Sequence, residues 1–315
     1  MSKKQAWLGF WILSLVWGSS YFFIRIGVEQ LPPFQLVFMR TGVAAIGLNI
    51  VIYARGKRLP TDWRGIRDLI VLGVVNTVIP FFLITWGEVR IESSLASVLQ
   101  GTAALFTLIV AHFLFVDERI IWRKLIGLLV GFCGVVILAG RSGSEVVTNV
   151  SRTMHLLGQL AIVGASFCYA LGNTYGRKAM QSRLAPIVTA GGAMTVAAVV
   201  TGIITFTAPL WGGPPPLGLR ELTPRVLSAA LTLGLLNTFV AYLIYYSLIA
   251  ALGSARTSMV TYVIPVVGIL LGTIFLHERV DARLIIAAVM IIGSIAIVNL
   301  RFDWWRRRDV STSTA

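Results

Sequence analysis

The chain has 315 residues, 57% of them hydrophobic and only 13% charged, and its 27 Lys and Arg against 13 Asp and Glu leave a formal charge of +14. So apolar a composition excludes an ordinary water-soluble domain, because the few charges must fall between runs long enough to cross a bilayer. The basic excess would suit a nucleic-acid binder, but its placement along the chain assigns it to membrane orientation and argues against nucleic acid.

Lys3 and Lys4 precede a charge-free window at 5–24. With no clear small-residue cleavage site after it, the window reads as an uncleaved first helix and not as a signal peptide. A second span, 34–53, contains Arg40, and windows at 69–87, 93–116 and 125–140 follow. After a polar connection at 141–152 come 153–176, then 184–219, whose helix should end early at Pro209 and the Pro214-Pro215-Pro216 run, and then 226–255, 257–277 and 284–300. A helix needs about 20 apolar residues to cross. The expectation is ten spans.

With the N-terminus inside, the cytoplasmic segments hold 18 of the Lys and Arg residues and the outer ones 7, Arg25 and Arg40 lying near the outer ends of spans one and two. That asymmetry predicts both termini to be cytoplasmic. Trp7, Trp11, Trp122, Trp304 and Trp305 fall near the predicted inner interface, and Trp86 and Trp211 near the outer one, as in an aromatic belt. Cys133 and Cys168 fall inside spans and are expected to be free, buried thiols.

The chain is also duplicated. Leu72-Gly73-Val74-Val75-Asn76-Thr77 returns as Leu233-Gly234-Leu235-Leu236-Asn237-Thr238. In the following segments Ser93, Ser97, Gln100, Ala104, Thr107 and Ala111 are matched by Ser254, Ser258, Thr261, Pro265, Gly268 and Gly272, stepping by four and three along one helix face. Each stripe can approach another helix or line a cavity. Five spans per unit force the second unit to be inverted relative to the first. The predicted organisation is a first repeat at 1–140, an extracytoplasmic connection at 141–152, a second repeat at 153–300 and a basic cytoplasmic tail at 301–315.

Several segments resemble the EamA-type members of the drug/metabolite transporter superfamily. They are Trp17-Gly18-Ser19-Ser20 with Arg25, Pro33 and Arg40 around span two, Asn76 with Pro80, Asp117-Glu118-Arg119 after span four, and His277-Glu278-Arg279 after span nine. The resemblance implies an all-helical fold of ten spans in two inverted five-helix repeats, a central cavity, and export or exchange of small metabolites, often amino acids. Ala104 stands where such proteins often carry a proline, which Pro265 keeps in the second repeat. Whether helix four bends without it is left open.

Polar groups at membrane depth are the candidates for function. Asn76 and Asn237 need a partner, and either a structural hydrogen bond or a substrate contact would supply one. Pro80 and Pro265 free carbonyls and kink helices, with or without touching substrate. Gln100 can both donate and accept, although its stripe equally suits helix packing. Tyr169, Tyr242, Tyr245, Tyr246, Tyr262 and Trp17 offer ring faces with polar tips to a substrate, or simply pack. Arg40 can snorkel outward, pair with Glu88 or Glu29, or bind a substrate carboxylate. Glu88 is the carboxylate placed to couple transport to protons, against the reading that it is a solvated interfacial charge. Gly127, Gly131 and Gly134 read as close helix packing.

No catalytic or metal-ligating cluster is evident, since His112, His155 and His277 are scattered, and no phosphate-binding glycine loop is present. The sequence therefore predicts a secondary transporter, not an enzyme, without cofactor. It would export or exchange a small metabolite across the cytoplasmic membrane by alternating access, with a small-molecule substrate and the bilayer as partners. A channel or scaffold is the alternative, and the oligomeric state is left open.

Overall fold

The computed structural model describes residues 2–114, 121–139, 150–182 and 184–299, and all regular structure among them is helical. α1 (Lys3–Gly18) starts in a reciprocal cap, with Gln5 N donating to Ser2 Oγ and Ser2 N to Gln5 Oε1. It breaks at Ser19 into α2 (Ser20–Gly27), and Pro32 then leads into α3 (Pro33–Ala54). α4 (Trp63–Gly73) is capped by Asp62 and runs through a widened, π-type turn at Val74–Val78 into α5 (Ile79–Glu88). α6 (Ser93–Gln100), α7 (Thr102–Leu114) and α8 (Trp122–Ala139) follow.

The second half repeats this order. α9 (Arg152–Ser182) and α10 (Pro186–Thr207) precede α11 (Pro224–Gly234), which passes through a second π-type turn at Leu235–Val240 into α12 (Ala241–Leu252). α13 (Ser254–Thr257), α14 (Val260–Leu276) and α15 (Ala282–Asn299) complete the described chain. The duplicated hexapeptide thus marks the same helical irregularity twice, a feature frequent at functional sites.

Among the described residues seven helical stretches are long and apolar enough to cross a membrane, and three shorter apolar helices, Lys124–Ala139, Val260–Leu276 and Ala282–Ile297, lie at three further predicted spans. Large apolar side chains such as Phe113, Leu129, Ile203 and Val289 are exposed on the outside of the bundle, as the surface of a multi-pass membrane protein requires.

Helices pack against their own counterparts: α3 on α10, α8 on α15 and α6 on α14. Several further pairings come in matched sets, α5 on α9 with α12 on α1, and α7 on α9 with α14 on α1. A twofold relation between the repeats explains this pattern, since every contact then has a partner. The small-residue stripes of the two repeats meet in close packing, with Gly268 against Ser97 and Gly272 against Ser93. There the packing reading of the stripe applies. Gly131 and Gly134 likewise bring α8 against Ser294 and Ala287 of α15.

Helix four does break without a proline, at Gly101 between α6 and α7, whereas Pro265 sits inside an uninterrupted α14. The thiols correct one expectation. Both are free, but Cys133 is exposed and Cys168 half-buried, because their helix faces turn away from the interior. Asp117, Glu118, Arg119, the connection from 141 to 149 and the tail lie outside the described residues.

At the predicted outer side the proline-rich loop is tied to the first repeat. Gln35 Nε2 donates to Leu217 O at 2.6 Å and Leu217 N to Gln35 Oε1 at 3.0 Å. Thr223 N and Oγ1 both donate to Gln30 Oε1, and Arg225 pairs with Glu29 at 3.1 Å.

Candidate functional site

Arg40, on α3, is only 9% exposed although it is the one charged residue of that helix. Its Nε donates to Thr238 Oγ1 at 2.9 Å, and its guanidinium lies 3.9 Å from the centroid of the Phe81 ring. The second π-type turn explains the acceptor: Thr238 Oγ1 donates back to Leu233 O five residues earlier, which aims its oxygen at Arg40. The Nη atoms have no hydrogen bond among the described residues. Arg40 therefore neither snorkels nor pairs with Glu29, which Arg225 holds, nor does it form an ion pair with Glu88.

Around that cation lie the rings expected from sequence and one that was missed. Tyr169 on α9, Tyr242 on α12 and Tyr21 on α2 are all near enough to interact with the Arg40 charge. Tyr21 was legible in principle, since Trp17, Tyr21 and Arg25 are spaced to share one helix face. Tyr242 contacts Tyr246, Tyr246 contacts Tyr245, and Tyr245 contacts Trp17, with centroids 6.0, 5.5 and 5.2 Å apart. The ladder crosses from α12 to α1, joining residues of both repeats. Tyr262 is set apart: its hydroxyl donates to Ile295 O at 3.0 Å and ties α14 to α15.

The two asparagines part company. Asn237 directs its amide nitrogen at Val16 O and at the hydroxyls of Ser19 and Ser20, where α1 gives way to α2. Asn76, half-buried beside Gly172 of α9, makes no hydrogen bond among the described residues; its Oδ1 is enclosed without a donor, as is that of Asn237, so the two differ at the amide nitrogen. Gln100, half-buried at the helix-four break, likewise has an enclosed Oε1 without a donor. Pro80 is buried in the first turn of α5, beyond the first π-type turn, and Pro265 is buried within α14.

The carboxylates at the predicted outer side hold the largest departure from expectation. Glu88 is no solvated interfacial charge: it is 0% exposed, and neither carboxylate oxygen has a hydrogen-bond partner. The start of α9 covers the turn beside it, with Gly158 packed on Gly87 and Arg90. Arg25, Arg40 and Glu278 are the charges that act on it, and Arg25 Nη1 donates to the Glu88 backbone carbonyl at 2.6 Å. Glu92 is equally buried, with Oε2 3.5 Å from His155 Nε2.

Glu278, 2% exposed, accepts from Ser93 N at 2.7 Å, Ser93 Oγ at 2.8 Å and Ser94 N at 2.9 Å, so the second repeat caps α6 of the first. Nothing in the local sequence signals a partner 185 residues away. No group of three His, Cys, Asp or Glu that could hold a metal is present among the described residues.

Around Arg40 the structure thus combines a cation with free donor capacity and phenol rings from both repeats, while Asn76 and Gln100 make no hydrogen bond to it among the described residues. This arrangement is suited to holding a small molecule with an anionic or polar head and an apolar or aromatic body.

Comparison with known proteins places this geometry. The profile of the EamA-like transporter family matches residues 5–140 and 156–300, one copy on each half. An uncharacterized transporter of Archaeoglobus fulgidus is 26% identical over 296 residues, covering 93% of this chain and 98% of that protein. The uncharacterized inner membrane transporter YedA of Escherichia coli K12 is 28% identical over 290 residues, covering 91% and 88%. A protein of the same strain named "probable amino-acid metabolite efflux pump" is 24% identical over 308 residues, covering 96% and 97%. A crystal structure identified only as that of a protein shares the fold with TM-score 0.65 at 18% identity, covering 98% of this chain and all of that one.

Proposed function

The chain belongs to the EamA-like transporter family, and from that premise we propose that it is a secondary transporter of the cytoplasmic membrane that exports or exchanges a small carboxylate-bearing metabolite, amino acids first. Ten spans in two inverted five-helix repeats, with both termini cytoplasmic, rock about a site between Arg40, Tyr169 and Tyr242. The carrying observation is Arg40. A guanidinium buried at the junction of the repeats, with its Nη donors unused and no ion pair, is costly unless a passing anion repays it. Asn76 and Gln100 supply neutral contacts, and Trp17 and Tyr245 close the aromatic side. Glu88, enclosed without a donor, is the group that exchanges protons with the outside during the cycle. The relative named as an amino-acid metabolite efflux pump supports the substrate class.

Proteoliposomes containing the intact protein, assayed by counterflow with a labelled panel of amino acids, organic cations and nucleosides, test the reading. Saturable counterflow of amino acids is expected. It should be lost in a folded Arg40→Gln variant and partly kept in Arg40→Lys. Counterflow of organic cations alone, or amino-acid counterflow unchanged by Arg40→Gln, would refute the assignment.

A further inference from the structure

The repeat relation between the first helix of each half can be followed residue by residue. Arg25 and Arg177 are 152 positions apart, and the same offset pairs Ser14 with Ser166, Trp17 with Tyr169 and Ser20 with Gly172. Ser14 and Ser166 are both fully buried, as equivalent positions should be.

The structure bears the pairing out through the asparagines. Asn237 of the second repeat reaches across to Ser20 of the first, and Asn76 of the first reaches across to Gly172 of the second. The two contacts are one contact, seen from either side of the twofold axis. Their chemistry differs because of the residue that receives them. Ser20 and its neighbour Ser19 offer hydroxyls to Asn237, and Val16 adds a carbonyl. At the matching place Gly172 offers nothing, and a Cβ added there would overlap the Asn76 side chain. Gly172 thus makes room for the Asn76 amide while withholding a partner.

We propose that the duplicated asparagine has split into two roles: Asn237 is a structural pin that holds the α1–α2 break, and Asn76 is the amide that hydrogen-bonds substrate. This rests on the transport reading above and refines its site. An amide in a membrane interior needs partners; the Oδ1 of both asparagines is enclosed without a donor, but only Asn237 has its amide nitrogen bound, and Asn76 makes no hydrogen bond among the described residues. It sits on a π-type turn, against the helix that carries Tyr169 one turn away toward Arg40. Substrate would therefore lie along α9, its carboxylate toward Arg40 and a group that both donates and accepts, such as an α-amino or side-chain amide, toward Asn76.

The test uses the full-length protein with Asn76→Ala and Asn237→Ala. Two readouts are taken, thermal unfolding in detergent and counterflow of the panel amino acid that the intact protein moves best. A third readout needs no substrate: Asn76→Cys and Asn237→Cys, built with Cys133→Ser and Cys168→Ser, are exposed to a small water-soluble thiosulfonate. Asn237→Ala should lower the unfolding temperature by several degrees, whereas Asn76→Ala should leave it unchanged and raise the counterflow KM about tenfold, the loss of one directed hydrogen bond. The Asn76→Cys thiol should be modified while the Asn237→Cys thiol is protected. Equal destabilisation by the two alanine variants, or an unchanged KM in Asn76→Ala, overturns the division of roles. If no panel member shows counterflow, the transport reading fails and the substrate contact with it. Labelling then decides the asymmetry alone, and equal modification at the two positions overturns that as well.

Discussion

Glu278→Ala should unfasten the two repeats at the predicted outer side. The wild-type carboxylate accepts three hydrogen bonds, from Ser93 N, Ser93 Oγ and Ser94 N, at 2.7 to 2.9 Å, and both serines are fully buried. Removing it strands two backbone amides at the start of α6, where each unsatisfied buried donor costs about 1–3 kcal/mol. It also removes a negative charge from a helix N-terminus, worth about 0.3–1 kcal/mol. Water entering from the nearby outer surface recovers part of this, so the net loss should be about 3 kcal/mol, roughly a 150-fold shift of the unfolding equilibrium. Glu278→Gln keeps a carbonyl acceptor and should lose about half as much. Reversible unfolding in mixed micelles, followed by tryptophan fluorescence, gives both values. If Glu278→Ala unfolds with the wild-type free energy while its transport is intact, the cap does not hold the repeats together and the argument fails.

Glu88→Gln removes a carboxylate that has no hydrogen-bond partner, so stability should hold or rise slightly. Substrate-driven proton movement, read by a pH-sensitive dye inside proteoliposomes, should vanish while substrate exchange persists; wild-type proton movement in this variant would remove Glu88 from the coupling role. Gly268→Val sets a branched side chain against Ser97, where even a Cβ overlaps. It should cost about 3 kcal/mol or more by overpacking and sharply reduce folded yield on size exclusion. Normal yield would mean that the α6–α14 contact is looser than described.

Apolar windows located the helices well because a bilayer-crossing helix is long and its signal is local. The repeated hexapeptide revealed the duplication but not the π-type turns it occupies, and Arg40 was conspicuous as a cation in an apolar span. Burial of Glu88 was not legible, since its neighbours in sequence are a turn with Arg90 and Glu92, and the cover comes from the start of α9 some seventy residues on. The different environments of Asn76 and Asn237 were hidden for a related reason. The asparagines stand in near-identical hexapeptides, and the difference lies in what faces them, a serine in one case and a glycine in the other. Windows and motifs describe a residue's own segment, whereas these properties belong to the segment across from it.

The tether between Gln35 and Leu217, with Gln30 and Glu29 bound to Thr223 and Arg225, has a mechanical corollary. The 209–224 loop belongs to the second half by descent, yet it is stitched to the first half where α3 begins. A rocking motion that parted the halves on that side would carry the loop with α3 and bend the chain where α10 ends, or else tear a two-way amide clasp. The seam along which such a machine flexes would then differ from the seam left by gene duplication, and the strap that crosses it would set how wide the outer mouth can gape.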